Sequence, residues 1–391
     1  MTIQSSLTGG LVALALLYQP GMQPVTDKVD TGDYEIVANW PRPLPDRTPG
    51  EHDGYTWGSG GGVYAQSPDR VWIVQRGERP LPPGAKPWTV GSLLKPPRMD
   101  SGRDDYGNER GWARRWHHNV FAVDRNGNAV VEWLHLDAFF SPPNTLARGP
   151  HKVRMSPYDP QKHVWIIDDD LHEIHKFTQE GKLVMTLGER GVPGRGPNNF
   201  NRPTDMVWLP DGTFFIADGY AGTRVAKFDR NGKSLLDWGA VPKDPANPGP
   251  NEFYSVHSIG ITRDRRLVVS DREHSRMQIF DENGKFLTMW RVGPKAEVYS
   301  HIVTEDDHVW AADHTTSKII KFDLNGKELF SFGGPGPHPG QFNGVHQIHV
   351  DQERNLYVTE VWNGRVQKFR PKKGADPAKI IAPEVGGWPP T

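Results

Sequence analysis

The chain has 391 residues, with 46 basic and 47 acidic side chains, no cysteine, 42 glycines and 35 prolines. The formal charge of −1 excludes the broad positive surface that is typical of nucleic-acid binding. The lack of cysteine excludes disulfide bonds, thiolate metal ligands and cysteine nucleophiles, so a metal site must use histidine, carboxylate or backbone oxygen. Glycine and proline make up about a fifth of the chain, which favours many short strands separated by turns over a helical bundle.

Residues 1–33 are predicted to form an N-terminal extension. The longest apolar run in it, Leu11 to Tyr18, is too short to span a bilayer. This run could be the core of a weak secretory signal, although no Lys or Arg precedes it, or an apolar segment packed on the domain. The compartment therefore stays open between a periplasmic or secreted and a cytoplasmic location.

Residues 34–391 are predicted to form a single domain built from repeats. An alternating strand, an Asn-Gly or Glu-Gly turn suited to positive φ, and a second alternating strand recur along the chain. These hairpins lie at Val120–Trp133, Glu173–Gly188, Arg224–Gly239, Arg276–Trp290, Lys318–Gly333 and Gly364–Arg370. A second pair of strands precedes each hairpin, and four strands in roughly 40 to 50 residues are typical of a propeller blade.

The repeats form six units, so the predicted fold is an all-β, six-bladed β-propeller with four-stranded blades. The units begin near Val63, His151, Thr204, His257, Ser300 and His346. At about residues 77–118 the first unit is interrupted by an insertion rich in Pro, Gly, Arg and Trp, and such insertions usually form loops on the binding face. The early strand Tyr34–Trp40 is expected to close the ring against the last blade, because an open propeller exposes two strand edges.

The innermost strand of each blade lines the channel, so its first residue is predicted to lie at one rim. This position holds His151, Thr204, His257 and His346, with Ser300 or His301 in the fifth blade. From Thr204, His257 and His346 the spacing to the acid that ends the next strand is 14 residues. Three histidines from alternate blades would converge on the channel axis, and three imidazoles with an open fourth position are typical of a catalytic zinc. Each histidine taken alone could equally be an ordinary polar residue of the rim.

The second strand of several blades ends in a further set of unusual residues. Arg76 follows it in the first blade, Tyr220 in the third and Arg272 in the fourth. These side chains could surround a metal with one phenol and two cations, and a phenol acts as a base only when nearby positive charge favours phenolate. The alternative is a salt-bridge network that binds one blade to the next.

Two other groups of possible ligands are not assigned to a metal. The run Asp168-Asp169-Asp170 is expected to end a strand in a solvated loop. His117 and His118 are adjacent, so their side chains are expected to diverge as neighbouring side chains of a strand do.

With these residues placed, the chain resembles the NHL-repeat six-bladed propellers, and more narrowly peptidyl-α-hydroxyglycine α-amidating lyase. The matching segments are Arg76-Gly77, Pro150-His151, Pro203–Asp205, Asp218–Tyr220 with Arg224, Val256–Ser258, Asp271–Glu273 with Arg276 and Gln278, and Val345-His346. The resemblance implies a zinc ion on His151, His257 and His346. It also implies that Tyr220 is the catalytic base and that Arg76 and Arg272 are partners of substrate charge.

The same resemblance implies an activity. In that family zinc binds the hydroxyl of a carbinolamide, and cleavage of the C–N bond releases an amide and glyoxylate. Zinc lowers the pKa of such a hydroxyl, and arginine can hold a carboxylate through two hydrogen bonds. The implied function is a zinc-dependent lyase for an α-hydroxylated, carbinolamide or hemiaminal-like substrate, a small molecule or peptide with a carboxylate. Gln347 follows His346 where the family has aspartate, which makes the family's structural calcium doubtful.

Two other functions stay open from the sequence. One is a metal-dependent hydrolase that uses zinc-activated water. The other is a non-enzymatic NHL interaction propeller. The balanced charge argues against a nucleic-acid partner, no apolar run is long enough for a membrane span, and the oligomeric state is not constrained.

Overall fold

The hairpins of the sequence form antiparallel strands in the computed structural model, which describes residues 29–80, 115–140 and 148–387. The strands are β1 (Tyr34–Ile36), β2 (Tyr55–Trp57), β3 (Gly60–Ser67), β4 (Arg70–Gln75), β5 (Glu78–Pro80), β6 (Val120–Val123), β7 (Ala129–Glu132), β8 (Lys152–Arg154), β9 (Val164–Asp168), β10 (Glu173–Phe177), β11 (Leu183–Gly188), β12 (Pro203–Trp208), β13 (Phe214–Asp218), β14 (Arg224–Phe228), β15 (Ser234–Trp238), β16 (Val256–Ile261), β17 (Leu267–Asp271), β18 (Arg276–Phe280), β19 (Phe286–Arg291), β20 (Val298–Val303), β21 (His308–Asp313), β22 (Lys318–Asp323), β23 (Glu328–Gly333), β24 (Val345–Val350), β25 (Leu356–Glu360) and β26 (Arg365–Pro371). A short helix, α1 (Asp137–Phe140), and 3-10 turns at Leu134–Leu136 and Pro377–Lys379 accompany them.

Of these strands, β2 pairs with β5 in a separate two-stranded sheet, and the other 24 form six four-stranded blades. Blade 1 contains β3, β4, β6 and β7, blades 2 to 5 contain β8–β11, β12–β15, β16–β19 and β20–β23, and blade 6 contains β24, β25, β26 and β1. Each innermost strand contacts the innermost strands of both neighbouring blades, and β24 returns to β3, so the ring is closed. The predicted all-β, six-bladed propeller is confirmed.

The early strand closes the ring against the last blade, as the sequence predicts. Across β1 and β26, Tyr34 pairs with Pro371 and Ile36 pairs with Phe369. The strand ends at Ile36 and is therefore shorter than expected, while Trp40 is buried in the gap between blades 6 and 1. Because blade 6 combines both ends of the repeat region, the ring opens only if this pairing breaks.

The apolar core is divided into six clusters, one in each gap between neighbouring blades. The middle strands β9, β13 and β17 have apolar neighbours on both faces and are buried along their whole length. The outermost strands are largely exposed, as β15 is with Leu235 exposed and only Trp238 buried. Close packing of this kind holds the inner strands, and the rim residues on them, in fixed positions.

Two sequence predictions fall partly outside the described residues. The extension 1–33 is described only from residue 29, so the run Leu11 to Tyr18 lies outside. The insertion 77–118 is described at its two ends, where Glu78 and Arg115 exchange backbone hydrogen bonds of 2.8 and 3.0 Å. Within the described ranges, no helix has the length and apolar character that crossing a membrane requires. The domain boundaries stay predictions.

Candidate metal centre

The rim residue of most inner strands lies in a β-bulge. In blade 4 the pairing of β16 with β17 skips His257, which lies between Val256 and Ser258. Thr204 in blade 3 and Gly61 in blade 1 are skipped in the same way. A bulge bends its strand and re-aims the side chain of the extra residue. In blade 4 it turns His257 towards the rim residues of the other blades.

Three histidines from blades 2, 4 and 6 meet at this rim. His151, His257 and His346 are at most 2% exposed, and one nitrogen of each lies within 4.8 Å of the other two. Nε2 of His346 is 3.1 Å from Nε2 of His151. The Nε2 atoms of His151 and His257 lie 3.2 and 2.8 Å from the phenol oxygen of Tyr220. The structure thus brings the three predicted histidines together with the predicted tyrosine.

The other nitrogen of each histidine faces a backbone oxygen of the following blade. The oxygens of Thr204, Tyr299 and Gly61 lie 3.2, 2.7 and 2.5 Å from Nδ1 of His151, His257 and His346, respectively. A carbonyl only accepts, so in a neutral imidazole each Nδ1 carries the proton and each Nε2 keeps its lone pair. Metal-binding histidines are oriented in this way by their second nitrogen. The residues present therefore fit a transition-metal ion.

Burial keeps the three imidazoles neutral. Desolvation is the largest influence and holds the pKa of His151, His257 and His346 well below the usual value. Nearby cations act in the same direction, Arg272 on His257 and Lys152 on His346. Neutral imidazole is the form that binds a metal, so at pH 7 no proton has to be displaced.

Guanidinium groups surround the ring of Tyr220. The Cζ atoms of Arg202, Arg272 and Arg148 lie 4.2, 4.9 and 5.9 Å from its centroid. Three positively charged groups thus lie around the phenol whose oxygen contacts two histidine nitrogens. Arg272 was predicted from the sequence, whereas Arg148 and Arg202 were missed. Arg148 lies four residues before β8 and Arg202 lies directly before β12, so both stand in the connections between the repeated strands.

Arg76 is held at the rim by the carboxylate of Asp169, and the expectation that Asp169 lies in a solvated loop is wrong. Asp169 is fully buried rather than solvated, and its oxygens lie 3.2, 3.7 and 2.5 Å from nitrogens of Arg76, Arg148 and Arg202. Although burial opposes ionisation, the three arginines together hold the pKa of Asp169 below its usual range. Asp169 follows the acid that ends β9, as Arg272 follows the acid that ends β17. The position after the acid that ends the second strand, which predicts Arg272 in blade 4, therefore also predicts Asp169 at the rim in blade 2.

The fifth blade has Tyr299 at the rim, not Ser300 or His301 as expected. The pairing of β20 with β21 skips Tyr299 as the pairing of β16 with β17 skips His257. His301 is buried elsewhere, with Nε2 3.1 Å from the backbone oxygen of Val268. The 14-residue spacing, counted back from the acid that ends β21, gives Tyr299. The spacing that places His257 at the rim of blade 4 therefore also places Tyr299 at the rim of blade 5.

Tyr299 is a second phenol beside the histidines, but its hydroxyl has a different partner. Its ring lies 5.0 Å from the ring of His257 and stacks on His314 at 4.4 Å. The hydroxyl is hydrogen-bonded to the carboxyl of Glu297. Tyr299 thus packs against the site, whereas Tyr220 presents its oxygen to two histidine nitrogens.

The chain is similar in sequence to amidating enzymes, although no protein-family model matches it. It is 28% identical over 251 aligned residues to peptidyl-α-hydroxyglycine α-amidating lyase 1 of Drosophila melanogaster. The aligned region is 57% of this chain and 45% of the fly protein. It is also 26% identical over 275 aligned residues to peptidyl-glycine α-amidating monooxygenase A of Xenopus laevis. That aligned region is 65% of this chain and 27% of the frog protein. The chain therefore spans less than half the length of these two relatives.

A third relative is matched over most of its length. NHL repeat-containing protein 3 of Mus musculus is 30% identical over 261 residues, which are 60% of this chain and 70% of the mouse protein. The chain belongs to the NHL-repeat family. The six blades and the repeated hairpins agree with this assignment.

The channel of this NHL-repeat propeller holds a buried lysine next to the histidines. Nζ of Lys152 lies 3.0 Å from a carboxylate oxygen of Asp205, and 3.1 and 3.2 Å from the backbone oxygens of His257 and Tyr299. Burial lowers the pKa of Lys152 to about 8 and Asp205 opposes this shift, so the ammonium is mostly charged at pH 7. Gln347 donates its amide to a backbone oxygen of β8 at 2.8 Å. The ammonium of Lys152 thus supplies positive charge in the channel. The expectation that a structural calcium is doubtful stays a prediction.

Replacing Lys152 with methionine should destabilise the NHL-repeat propeller by about 3 kcal/mol, because Asp205 and two carbonyl oxygens lose a buried charged donor. Urea unfolding followed by circular dichroism measures the change. Lys227→Met is the matched control, since the ammonium of Lys227 donates to the backbone oxygen of Glu282 (2.9 Å) on a partly exposed face. We expect a loss below about 0.5 kcal/mol there. Equal stability of both variants would show that the channel does not depend on the ammonium.

Gly219 holds Tyr220 in place because it leaves no room for a side chain. A Cβ at this position would overlap the backbone oxygen of Val256, which precedes His257 in the bulge. Gly219→Ala should therefore displace Tyr220 and cost about 2 kcal/mol of stability, measured by urea unfolding. Gly334→Ala is the control, because its Cβ would meet no described atom within 4 Å. Equal stability of Gly219→Ala and Gly334→Ala would contradict this account of the loop.

Proposed function

We propose that this chain is a zinc-dependent lyase that cleaves an α-hydroxylated, carbinolamide or hemiaminal-like substrate with a carboxylate. The observation that carries the proposal is the approach of three neutral histidines and the Tyr220 oxygen at one rim. The relatives support it, since the Drosophila melanogaster protein is named as an amidating lyase and the Xenopus laevis protein as an amidating monooxygenase.

Nε2 of His151, His257 and His346 would hold the zinc. Three protein ligands are the set of a catalytic zinc that leaves a position for substrate. Zinc bound there acts as a Lewis acid, which lowers the pKa of a hydroxyl and stabilises developing negative charge. The bonds from Nδ1 to backbone oxygens fix the three rings, so the ligands are oriented before the ion binds.

Tyr220 is the base of the proposed reaction, because its oxygen lies within hydrogen-bond distance of two of the ligand nitrogens, where a substrate hydroxyl would bind. It takes the proton of the substrate hydroxyl while the carbonyl bond forms and the C–N bond breaks. The proton then passes to the departing amide nitrogen. A carbinolamide thereby becomes an amide and glyoxylate, with no water consumed and no net oxidation or reduction.

Arg76 and Arg272 are the proposed partners of the substrate carboxylate. Both are at most 7% exposed, and each guanidinium is fixed by an acid. Arg76 contacts Asp169 at 3.2 Å, and Nε of Arg272 contacts Glu273 at 2.9 Å. Because a guanidinium has five N–H donors in one plane, an acid partner orients it for a second carboxylate.

Turnover of N-benzoyl-α-hydroxyglycine tests the proposal. A lyase yields benzamide and glyoxylate in equal amounts, above the spontaneous rate measured without protein. N-benzoylglycine, which lacks the hydroxyl, is the control and should not react. Benzoate in place of benzamide would indicate a metal-dependent hydrolase. No turnover by zinc-loaded protein, with this substrate or with a peptidyl-α-hydroxyglycine, would contradict the proposal and favour an interaction propeller.

A further inference from the structure

A second histidine cluster lies at the base of the insertion, where the chain leaves and re-enters blade 1. His52 precedes β2, and His117 and His118 precede β6. One nitrogen of each lies within 4.8 Å of the other two. The ring centroids are 4.2 Å apart for His117 and His118, and 5.3 Å apart for His52 and His118. The candidate site at the channel rim uses a different set of histidines.

The expectation that His117 and His118 diverge is wrong. Both lie outside regular strands, and His118 has a φ of +55°. This is the left-handed region, which turns the chain sharply and is uncommon for a residue other than glycine. The alternation of a strand does not apply to such a residue. Both rings therefore face the same cluster.

In His52 and His118 one ring nitrogen contacts a carboxylate, and the other makes no hydrogen bond to any described residue. Nδ1 of His52 lies 2.5 Å from Glu78, and Nε2 of His118 lies 2.6 Å from Glu132. Carboxylates only accept, so in neutral imidazoles these nitrogens carry the protons. Nε2 of His52 and Nδ1 of His118 are buried and have no hydrogen-bond partner in the part of the chain that is described. Two buried lone pairs are costly unless a ligand satisfies them.

Negative charge exceeds positive charge around this cluster. The third histidine, His117, lies 3.0 Å from Glu51 and 3.4 Å from Asp137, and Asp46 lies 3.9 Å from Nε2 of His52. The cations that pair with this group in the described ranges are Arg115 on Glu78 and Arg47 on Glu132. Arg115 also lies 3.2 Å from Nδ1 of His52, but Glu78 is the closer partner of that nitrogen. Five carboxyl groups against two guanidinium groups favour a cation.

We infer that His52, His117 and His118 bind a divalent transition-metal ion, with zinc as the expected occupant, in a structural site. Three imidazoles and one carboxylate, from Glu51 or Asp46, would give four nitrogen and oxygen ligands with no open position, and closed four-coordination is typical of structural zinc. Glu78 and Glu132 are the outer partners that orient metal-binding imidazoles.

The positions of the side chains are close to those that zinc requires. Tetrahedral ligands around zinc lie about 3.3 Å apart, so nitrogens within 4.8 Å of one another have to approach by about 1.5 Å at most. The ligands come from both sides of the insertion, since His52 precedes it and His117 and His118 lie at its end. The ion would therefore tie the two ends of the insertion to blade 1, beside the backbone pairing of Glu78 and Arg115.

Metal analysis of matched variants tests this inference. Protein produced with added zinc and then desalted should hold two zinc ions per chain in the wild type. We expect His257→Ala and His52→Gln to hold one each, and the double variant to hold none. His163→Gln is the matched control and should hold two, because His163 pairs with Asp159 at 2.6 Å outside both clusters.

Two results would overturn the inference: no zinc in His257→Ala, or the same zinc content in His257→Ala with and without His52→Gln. If only the rim proposal is wrong, the wild type holds one ion, which His52→Gln removes and His257→Ala keeps. Thermal unfolding of chelator-treated His257→Ala covers the case in which His52→Gln does not fold. Added zinc should raise its Tm by at least about 3 °C, and an unchanged Tm would also overturn the inference.

Discussion

Replacing His257 with alanine is expected to abolish the proposed zinc site of the channel rim and to lower kcat/KM of the proposed reaction by at least about 10³-fold. His257 supplies one of three Nε2 atoms, and the two that are left are fewer than a catalytic zinc site requires. A Lewis acid contributes several kcal/mol to the transition state, and each loss of about 1.4 kcal/mol is a factor of ten in rate. Metal analysis and turnover of N-benzoyl-α-hydroxyglycine measure the two losses separately.

His301→Ala is the matched control for this experiment. His301 is a fully buried histidine of the neighbouring blade, and its Nε2 contacts the backbone oxygen of Val268 rather than the cluster. This variant should keep the rim zinc and most of the activity, whatever stability it loses. If His257→Ala keeps the same zinc content and activity as His301→Ala, the three-histidine centre is wrong.

The propeller was predictable because each hairpin carries its own turn chemistry. Gly232 and Gly284 have φ values of +83° and +81°, as an Asn-Gly turn requires. The side chain of Asp229 accepts hydrogen bonds from the backbone of Asn231 and Lys233, both at 2.9 Å, and Asp124, Asp281 and Asp323 do the same in their hairpins. Such local signals recur at a fixed spacing, so the blade count follows from the sequence.

The histidines of the rim were predictable for the same reason, but their electrostatic surroundings were not. His151, His257 and His346 share a register within the repeat, and a register can be counted. Asp169 is instead held by arginines of other blades, including Arg76 at 93 positions along the chain. No local sequence pattern shows that Asp169 pairs with an arginine so far away in the chain. The sequence therefore predicted an ordinary solvated loop.

The cluster at the insertion was missed because of one backbone angle. His118 adopts a positive φ without being glycine, and nothing in the neighbouring residues predicts this. The strand rule that separates adjacent side chains was therefore applied to a segment that is not a strand. His52 lies 66 positions before His118 in the chain, and only the fold brings it into this cluster.

Tyr220→Phe is expected to lower kcat by about 10² to 10⁴-fold, which is the usual contribution of a positioned acid or base. The variant keeps the ring that packs against Arg202 and Arg272, so KM and protein stability should change little. It also leaves the three histidine ligands in place, so the zinc content should equal that of the wild type. A loss of kcat at constant metal content separates a catalytic base from a zinc ligand.

Tyr299→Phe is the matched control, because the chain offers a second phenol at the same rim. The rings of Tyr220 and Tyr299 both lie 5.0 Å from the ring of His257, and Arg272 lies near both. The hydroxyl of Tyr299, however, is hydrogen-bonded to Glu297, so its removal should change kcat by less than about 5-fold. Full activity in Tyr220→Phe would refute its role as the base, and a larger loss in Tyr299→Phe would transfer that role to Tyr299.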